Sequence, residues 1–241
     1  MESYELNIMK GMVSVLNIMK EKPILTEEQY KERLADLKQF EDDTNFMFAN
    51  SPNCPIDVQS VIEVAIDKAD CKECTNIEDI IEFGKQKDLL ICADIYGFDI
   101  SITYTDGILT KINVYNILEN VSLNIKKISN IPYKIDKSGT YIVEGTTAIE
   151  LDEMKLIVHN VVSDDSVSRK KDLDKAKDLG FDVIPNWLAT NFNPKNLQAS
   201  IDYVFEYMSD EELDCMGVMF KFNNIEDKGC IIYRRNTSDE E

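Results

Sequence analysis

The sequence predicts an α+β fold in which two helices come first and antiparallel strands with intervening helices follow. Apolar residues recur at helical spacing over residues 4–21 and again over residues 27–40. Period-two alternation begins near residue 89 and returns in several later segments. Because the strands follow the helices instead of alternating regularly with them, an α+β architecture is favoured over a parallel α/β sheet.

The N-terminal segment predicts a small helical subdomain over residues 1–50. Its first helix is indicated by a run of apolar residues one helical turn apart, namely Leu6, Met9, Met12, Val13, Leu16 and Met19. Thr26 and Gln29 have the spacing of a capping box and open the second helix. The stretch from Asn50 to Asn53 breaks the pattern, so a new domain is expected from residue 51 onward.

The central segment predicts helix followed by a run of strands. Residues 58–84 are expected to be mostly helical, and residues 89–93 and 98–104 are expected to be strands joined around Gly97. Asp106-Gly107 is a two-residue hairpin signal, so residues 108–114 should pair with the strand before it.

The C-terminal part alternates strands and helices. Strands are predicted over residues 141–149 and 155–162, and a helix over residues 168–179 should end at Gly180. Asn193-Pro194 begins another helix, and residues 216–222 and 229–235 are the last strands. The second domain is therefore placed at residues 51–237, and residues 238–241 form an acidic tail.

The charge balance limits the partners that the chain is expected to bind. There are 45 acidic and 26 basic residues, which gives a net charge of −19. Direct DNA binding is not expected, because phosphate recognition needs a concentration of basic groups. No apolar run reaches the ~18 residues that span a bilayer. The first residues lack the basic-then-apolar order of a secretion signal, so a cytoplasmic location is expected.

The six cysteines do not form a recognisable metal motif. Cys71 and Cys74 have the spacing of a ligand pair, but no second pair matches them and His159 is the only histidine. A structural zinc site usually has four ligands, so no metal is expected. Reduced thiols are the expectation for a cytosolic chain.

One segment resembles a known motif. From Asp94 the chain reads Asp-Ile-Tyr-Gly, and the following strand ends in Tyr104, Gly107 and Leu109. This resembles the adenylation domain of bacterial NAD-dependent DNA ligases, where Lys-x-Asp-Gly leads to Tyr-x-x-Gly-x-Leu. Further matches lie in the family's order over residues 15–235, at Ala65–Lys68, Gly180–Val183, Gly217–Lys221 and Ile231–Arg234. The resemblance implies a ligase-type nucleotidyltransferase (ATP-grasp-like) fold, with antiparallel sheets flanked by helices and the helical subdomain at the N-terminus.

The same alignment places Asp94 where the family has its nucleophilic lysine. Adenylyl transfer needs a neutral amine to attack the α-phosphorus of NAD, and a carboxylate both attacks poorly and repels the phosphate. Tyr96 replaces the motif's aspartate, and Cys92 replaces a carboxylate that reads adenine in the family. By resemblance, no catalytic residue is therefore assigned.

Four residues remain as a vestigial nucleotide pocket, by resemblance: Asp67, Gly97, Lys221 and Arg234. The expected function is that of a catalytically inactive ligase-like protein with no required cofactor, which binds a protein partner as an acidic inhibitor or DNA mimic. The alternative is a noncovalent sensor or sponge for NAD, AMP or a related nucleotide. A third reading, residual catalysis, would need another nucleophile or a metal held by Asp94 and Asp99.

Overall fold

A computed structural model describes residues 3–22, 24–56, 62–65, 71–85, 87–115, 128–150, 153–190, 193–210 and 213–235. The helices are α1 (Ser3–Glu21), α2 (Glu27–Thr44), α3 (Ile77–Gly84), α4 (Arg169–Asp178) and α5 (Pro194–Asp210). The strands are β1 (Ile62–Ala65), β2 (Lys72–Cys74), β3 (Leu89–Ile95), β4 (Phe98–Thr105), β5 (Ile108–Tyr115), β6 (Thr140–Glu150), β7 (Glu153–Ser163), β8 (Asn186–Ala189), β9 (Cys215–Phe222) and β10 (Cys230–Tyr233).

The strands form two five-stranded sheets. The first sheet has the order β1-β5-β4-β6-β7 and the second has the order β2-β10-β9-β3-β8. Pairing is antiparallel except at one edge of each sheet, where β1 runs parallel to β5 and β2 runs parallel to β10. The predicted α+β class, with antiparallel sheets and flanking helices, is confirmed.

The predicted N-terminal helices are present as a hairpin. The Thr26 hydroxyl accepts from the backbone N–H of Gln29, and the backbone N–H of Thr26 donates to Gln29 Oε1, so the predicted capping box is formed. Asn45 ends α2 in the left-handed conformation. Met9 and Leu37 are fully buried between the two helices. Lys10 Nζ lies 3.0 Å from Asp182 Oδ2, which ties the hairpin to the sheets.

Two cores hold the sheets in place. The first lies against the first sheet and includes Leu90, Ile102 and Val158, with α4 packed beside it. The second lies on the far side of the second sheet, where α3 and α5 cover residues such as Ile91 and Phe220. Since Leu90 enters the first core and its neighbours Leu89 and Ile91 enter the second, β3 lies between the two apolar layers and both of its faces are covered at this point.

The consecutive strands β3 and β4 belong to different sheets, so the chain crosses between sheets around Gly97. Between β4 and β5 the predicted hairpin is present. Asp106 (φ 47°) and Gly107 (φ 78°) both have positive φ, as a type I′ turn requires. A Cβ on Gly107 would also lie 2.3 Å from Ile135 O, so a side chain is excluded there.

The expectation of a mostly helical segment over residues 58–84 is wrong. Only Ile77–Gly84 is helical among the described residues of this segment, while Ile62–Ala65 and Lys72–Cys74 are strands. Each of the two strands pairs with a segment far along the chain, and this tertiary pairing overrides local pattern.

The expectation of reduced thiols is also corrected. Cys71 and Cys230 form a disulfide with a Cα–Cα distance of 4.7 Å. The cause is the register of the parallel strands. Lys72 of β2 pairs with Ile231 of β10, so the residues just before them, Cys71 and Cys230, lie side by side. The structure leaves Cys54, Cys74, Cys92 and Cys215 as free thiols. No helix in the described part of the chain is both long and apolar enough to span a membrane.

Candidate functional site

A cleft of about 400 Å³ opens between the two sheets. The first sheet contributes residues of β4, β5, β6 and β7, the second sheet contributes residues of β9 and β10, and α4 closes one side. The residues around it are Cys71, Asp99, Ile100, Tyr115, Glu144, Gly145, His159, Asn160, Arg169, Met219, Lys221, Gly229 and Cys230. The volume lies within the usual range of small-molecule sites, about 300–1,000 Å³.

Alternation along β3 decides which side chains turn toward the first sheet. Leu90, Cys92 and Asp94 share one face of the strand because side chains alternate between faces. Their neighbours on β9 include Lys221, opposite Leu90, and Gly217, opposite Asp94. Asp94 and Lys221 therefore lie on one face of the second sheet.

Asp94 is held by an ion pair with Arg234. The Nη1 group of Arg234 donates to Asp94 Oδ2. The same guanidinium donates to Glu73 Oε1 through Nε at 3.0 Å and through Nη2 at 2.8 Å. Burial alone would lower the pKa of Arg234, but the hydrogen bonds and charges of Glu73 and Asp94 outweigh it, so this pKa is raised.

Two glycines near this ion pair have no room for a side chain. A Cβ on Gly217 would lie 2.9 Å from Arg234 Nη1 and 2.5 Å from Tyr233 O, so the absent side chain leaves the path of the arginine open. At the crossing between sheets, a Cβ on Gly97 would lie 1.9 Å from Thr147 O. Gly97 therefore lets its own backbone approach that of Thr147. This is a structural role, in addition to the place in the nucleotide pocket that the resemblance implies.

Lys221 is placed in the cleft by β9 and contacts the only histidine of the chain. Its Nζ lies 3.2 Å from His159 Nδ1, on β7 of the opposite sheet. His159 is 5% exposed, so the contact spans the cleft at a nearly buried point. A lysine and an imidazole at this distance supply donors for an anion entering between the sheets.

A second polar chain borders the cleft at α4. Arg169 donates to Asn160 Oδ1 at 3.0 Å and to Phe222 O at 2.8 Å. Asn160 in turn donates to Glu144 Oε2 at 2.7 Å. Burial lowers the pKa of Arg169, and the nearby charge of Glu144 opposes this shift. The arginine is thus fixed between the two sheets by both of its neighbours.

The acidic side chains near the cleft have separate partners. Thr146 Oγ1 donates to Asp99 Oδ1 at 3.0 Å, whereas Asp94 is bonded to Arg234. Among the residues that the structure describes, no group of three His, Cys, Asp or Glu side chains is arranged to hold a metal ion. The hypothesis of residual catalysis by a metal held between Asp94 and Asp99 thus receives no support from the geometry.

The thiols beside the cleft are poor nucleophiles. Burial raises the pKa of Cys92 to about 11, against a smaller opposite effect of Lys221. Burial also raises the pKa of Cys215. Because the thiolate is the reactive form, both thiols are held in the unreactive state at neutral pH.

The structure brings together some of the residues expected from the sequence. Asp94 and Arg234 are in direct contact, and Lys221 lines the cleft, whereas Asp94 and Arg234 are not among its lining residues. Gly97 occupies the crossing between sheets. Asp67 lies outside the described residues.

Sequence reasoning missed Glu73, His159, Asn160 and Arg169 as members of the site. No local motif marks them, because they reach the site from three separate elements, β2, β7 and α4. The single weak signal was the presence of only one histidine in a chain of 241 residues.

Comparison with known proteins gives likeness at the level of structure alone. No protein-family model matches the chain, and no curated protein sequence matches it. A Naegleria gruberi RNA ligase with pyrophosphate matches with a TM-score of 0.44 and 11% identity, over 76% of this chain and 61% of that one. An archaeal ATP-dependent RNA ligase matches with a TM-score of 0.45 and 7% identity, over 70% of this chain and 48% of that one. A ligand-free mutant of the Naegleria ligase gives a TM-score of 0.43 and 11% identity, over 71% of this chain and 56% of that one.

The chain spans between 48% and 61% of the length of these solved structures. The likeness concerns the arrangement of strands and helices over part of each chain, and it says nothing about catalysis or substrate. The matching structures are RNA ligases, so the narrower resemblance to NAD-dependent DNA ligases stays a prediction.

Proposed function

We propose that this chain is a ligase-like nucleotidyltransferase domain that does not form a covalent adenylyl intermediate and acts by binding a protein partner. The observation that carries the proposal is the ion pair at Asp94, the position that the motif alignment assigns to the nucleophilic lysine. The Asp94 carboxylate, held by Arg234, has no amine to offer and carries the wrong charge for an approaching phosphate.

Electrostatics work against catalysis at this position. Two like unit charges ~4 Å apart repel by about 4 kcal/mol at an effective dielectric of 20. Arg234 offsets much of the charge of Asp94, and three of its five N–H donors are already directed at Asp94 and Glu73, which leaves fewer for a phosphate. The buried thiol of Cys92 stays protonated, so it does not replace the missing amine.

Lys221 is the residue that would overturn this proposal. It faces the cleft, and its Nζ contacts His159 Nδ1. A neutral Lys221 amine, with the imidazole as proton acceptor, would have the two parts of an activated nucleophile. Covalent labelling therefore tests the proposal directly.

The labelling experiment uses the full chain with radiolabelled NAD or ATP and a divalent cation. We expect no covalent label that survives denaturation at alkaline pH, where a lysine phosphoramidate is stable, on the wild-type protein or on Lys221→Ala. A label on the wild type that disappears in Lys221→Ala would identify Lys221 as the nucleophile and refute the inactive assignment. A label that survives in Lys221→Ala would refute it as well, because it requires some other nucleophile.

A protein partner is supported by the acidic surface. The net charge is −19, and α2 exposes six acids, three of which pair with bases of the same helix; the six are Glu27, Glu28, Glu32, Asp36, Asp42 and Asp43. Repeated negative charge on a rigid helix can occupy a site that normally holds a phosphate backbone, which is the basis of the inhibitor and DNA-mimic proposal.

Affinity capture tests this part. We expect a basic partner whose binding weakens as salt rises and which duplex DNA displaces from the chain. Reversal of two α2 charges, Glu28→Lys with Glu32→Lys, should weaken capture, whereas Glu78→Lys with Glu82→Lys on the short helix α3 is a matched control. Binding that ignores salt and DNA would exclude the DNA mimic.

The cleft itself favours a second candidate function, noncovalent binding of a nucleotide. Its volume of about 400 Å³ suits a small ligand, and Lys221 and Arg169 place two cationic side chains along it. Calorimetry with AMP, ATP, NAD and ADP-ribose tests this candidate. Flat traces at millimolar ligand would exclude it, and a signal that Lys221→Ala abolishes would support it.

A further inference from the structure

Helix α1 carries an apolar stripe on the face that α2 does not cover. Tyr4, Ile8, Val15 and Ile18 are 71%, 36%, 48% and 54% exposed. With Gly11 they recur at steps of four and three residues, which is the spacing of a helix–helix seam. Isolated exposed apolar residues are common, but a continuous stripe along a helix indicates an interaction surface.

The exposed stripe and the face of α1 that packs in the hairpin core are two different sides of the helix. Met9, Val13 and Leu16 are at most 2% exposed and pack toward α2 and Phe48. The core therefore does not need the stripe, and nothing in the described part of the hairpin covers it.

A groove lies alongside the stripe, between α1 and the start of α2. Its volume is about 610 Å³, and its lining is formed by Ile8, Gly11, Met12, Val15, Leu16, Met19, Leu25, Arg33 and Asp36. Side chains of a helix lying along α1 would enter this groove as ridges enter grooves in packed helices. Gly11 has no side chain, so the wall is low at the centre of the stripe, and the space beside it is open because a Cβ there would meet nothing within 4 Å.

The order of residues along the stripe is self-complementary. When a second α1 runs antiparallel and the two helices cross at Gly11, Tyr4 lies opposite Ile18 of the second copy. Ile8 then lies opposite Val15 of the second copy to within one residue, a rise of about 1.5 Å. The absent side chain of Gly11 allows close approach at the crossing point. An isologous contact requires this kind of self-matching surface.

The local charge also favours a second copy over a basic partner. Helix α1 contains two acids, Glu5 and Glu21, and two bases, Lys10 and Lys20, so its formal charge is zero. The whole chain carries −19. The stripe thus lies on a helix without net charge in a strongly acidic molecule, so α1 itself adds no net like-charge repulsion between copies and offers a basic partner no net charge.

We propose that two copies of this chain associate through the α1 stripe, antiparallel and centred on Gly11, to form a four-helix bundle with α2 from each copy. This association does not involve the cleft, but it shares helix α2 with the acidic surface of the proposed partner-binding function. Added salt should strengthen it, because salt screens repulsion between two acidic molecules and leaves apolar contact intact.

Sedimentation equilibrium of the full chain, from low micromolar to several hundred micromolar, tests the proposal. We expect a monomer–dimer equilibrium that Val15→Glu weakens at least about tenfold. Val167→Glu changes a 61% exposed valine elsewhere and is the matched control, with no effect on association expected. Thermal unfolding of each variant shows whether it folds.

Two substitutions at Gly11 test the geometry. Gly11→Leu has space in the single copy but fills the crossing point, so it should keep the fold and weaken the dimer. Gly11→Cys should give a covalent dimer on mild oxidation, with the wild-type chain and its four free thiols as control.

Three results would overturn the proposal. One is a monomer at every concentration, including a monomer that uses the stripe to bind a different protein. Another is a dimer that Val15→Glu leaves unchanged or that salt weakens. The third is a dimer sensitive to Val15→Glu in which Gly11→Cys does not crosslink, because the antiparallel register would then be wrong.

Discussion

Replacement of Arg234 by alanine should destabilise the fold, because it leaves the Asp94 carboxylate without its partner in a confined place. The side chain of Asp94 is 19% exposed and that of Arg234 is 25% exposed. Glu73, the other partner, is 62% exposed and returns to solvent at small cost. The loss of stability therefore comes mainly from Asp94, whose charge is left partly buried without a partner.

The size of the effect follows from this partial burial. At ~4 Å and an effective dielectric of 20, the attraction is about 4 kcal/mol before the desolvation of both groups is subtracted. Breaking a fully buried pair costs about 3–5 kcal/mol, and breaking an exposed pair costs about 0–1 kcal/mol. We expect a value between these limits, about 2 kcal/mol, which for a chain of this size lowers Tm by about 4–8 °C.

Urea unfolding followed by circular dichroism measures the change, with Arg33→Ala as the control. Arg33 pairs with Asp36 on the surface of α2, at side-chain exposures of 65% and 52%, so its removal should cost under about 0.5 kcal/mol. In a double-mutant cycle, Asp94→Ala with Arg234→Ala should cost less than the sum of the single changes by about 1–2 kcal/mol. A coupling of zero, or an Arg234→Ala effect as small as that of Arg33→Ala, would refute the reasoning.

Three further predictions concern the fold around the site. Joint replacement of Cys71 and Cys230 by serine should lower the free energy of unfolding by about 3–5 kcal/mol, because the disulfide closes a very long loop; urea unfolding that equals the wild type would refute this. Burial is the main cause of the raised pKa of Glu41, against opposing hydrogen bonds, so the folded chain binds the proton more tightly than the unfolded chain. The free energy of unfolding should fall as pH rises from the ordinary glutamate pKa through the raised pKa of Glu41. In Glu41→Gln this part of the pH dependence should be absent, and a plot of unfolding free energy against pH with the wild-type slope would contradict the prediction. Gly97→Ala should cost more than about 3 kcal/mol or prevent folding, because its Cβ would overlap Thr147 O, and a variant as stable as the wild type in thermal melts would disprove the close approach.

Local signals in the sequence identified the elements that local physics controls. The capping box at Thr26 gave the start of α2, because its two hydrogen bonds join residues three apart. Asp106-Gly107 gave the hairpin, because few residue pairs accept positive φ at both positions. Asn193 caps α5 with a bond to the backbone of Asn196 at 2.9 Å, as the Asn-Pro start predicted.

The edge strands could not be predicted in the same way. Residues 62–65 and 72–74 were expected to be helical, yet each is a strand through parallel pairing with a distant segment. A short segment has little preference of its own, and its conformation depends on the neighbour that hydrogen-bonds to it.

The site shows the same division. Motif order in the sequence placed an acid at position 94 and a lysine at position 221, and it assigned Arg234 to the same region. It did not show that Arg234 binds Asp94, 140 residues away, or that Lys221 contacts His159, 62 residues away. Such contacts depend on which strands become neighbours, so only the tertiary structure reveals them.

The sequence by itself determined the α+β class, the capped helix, the type I′ hairpin and the acidic character of the chain. These depend on interactions within a few residues or on composition. Tertiary structure decided which strands share a sheet, that Cys71 meets Cys230, and that the charge of Asp94 is neutralised by Arg234. The physical reason is that long-range pairing is set by the packing of the whole core, which no local window of residues contains.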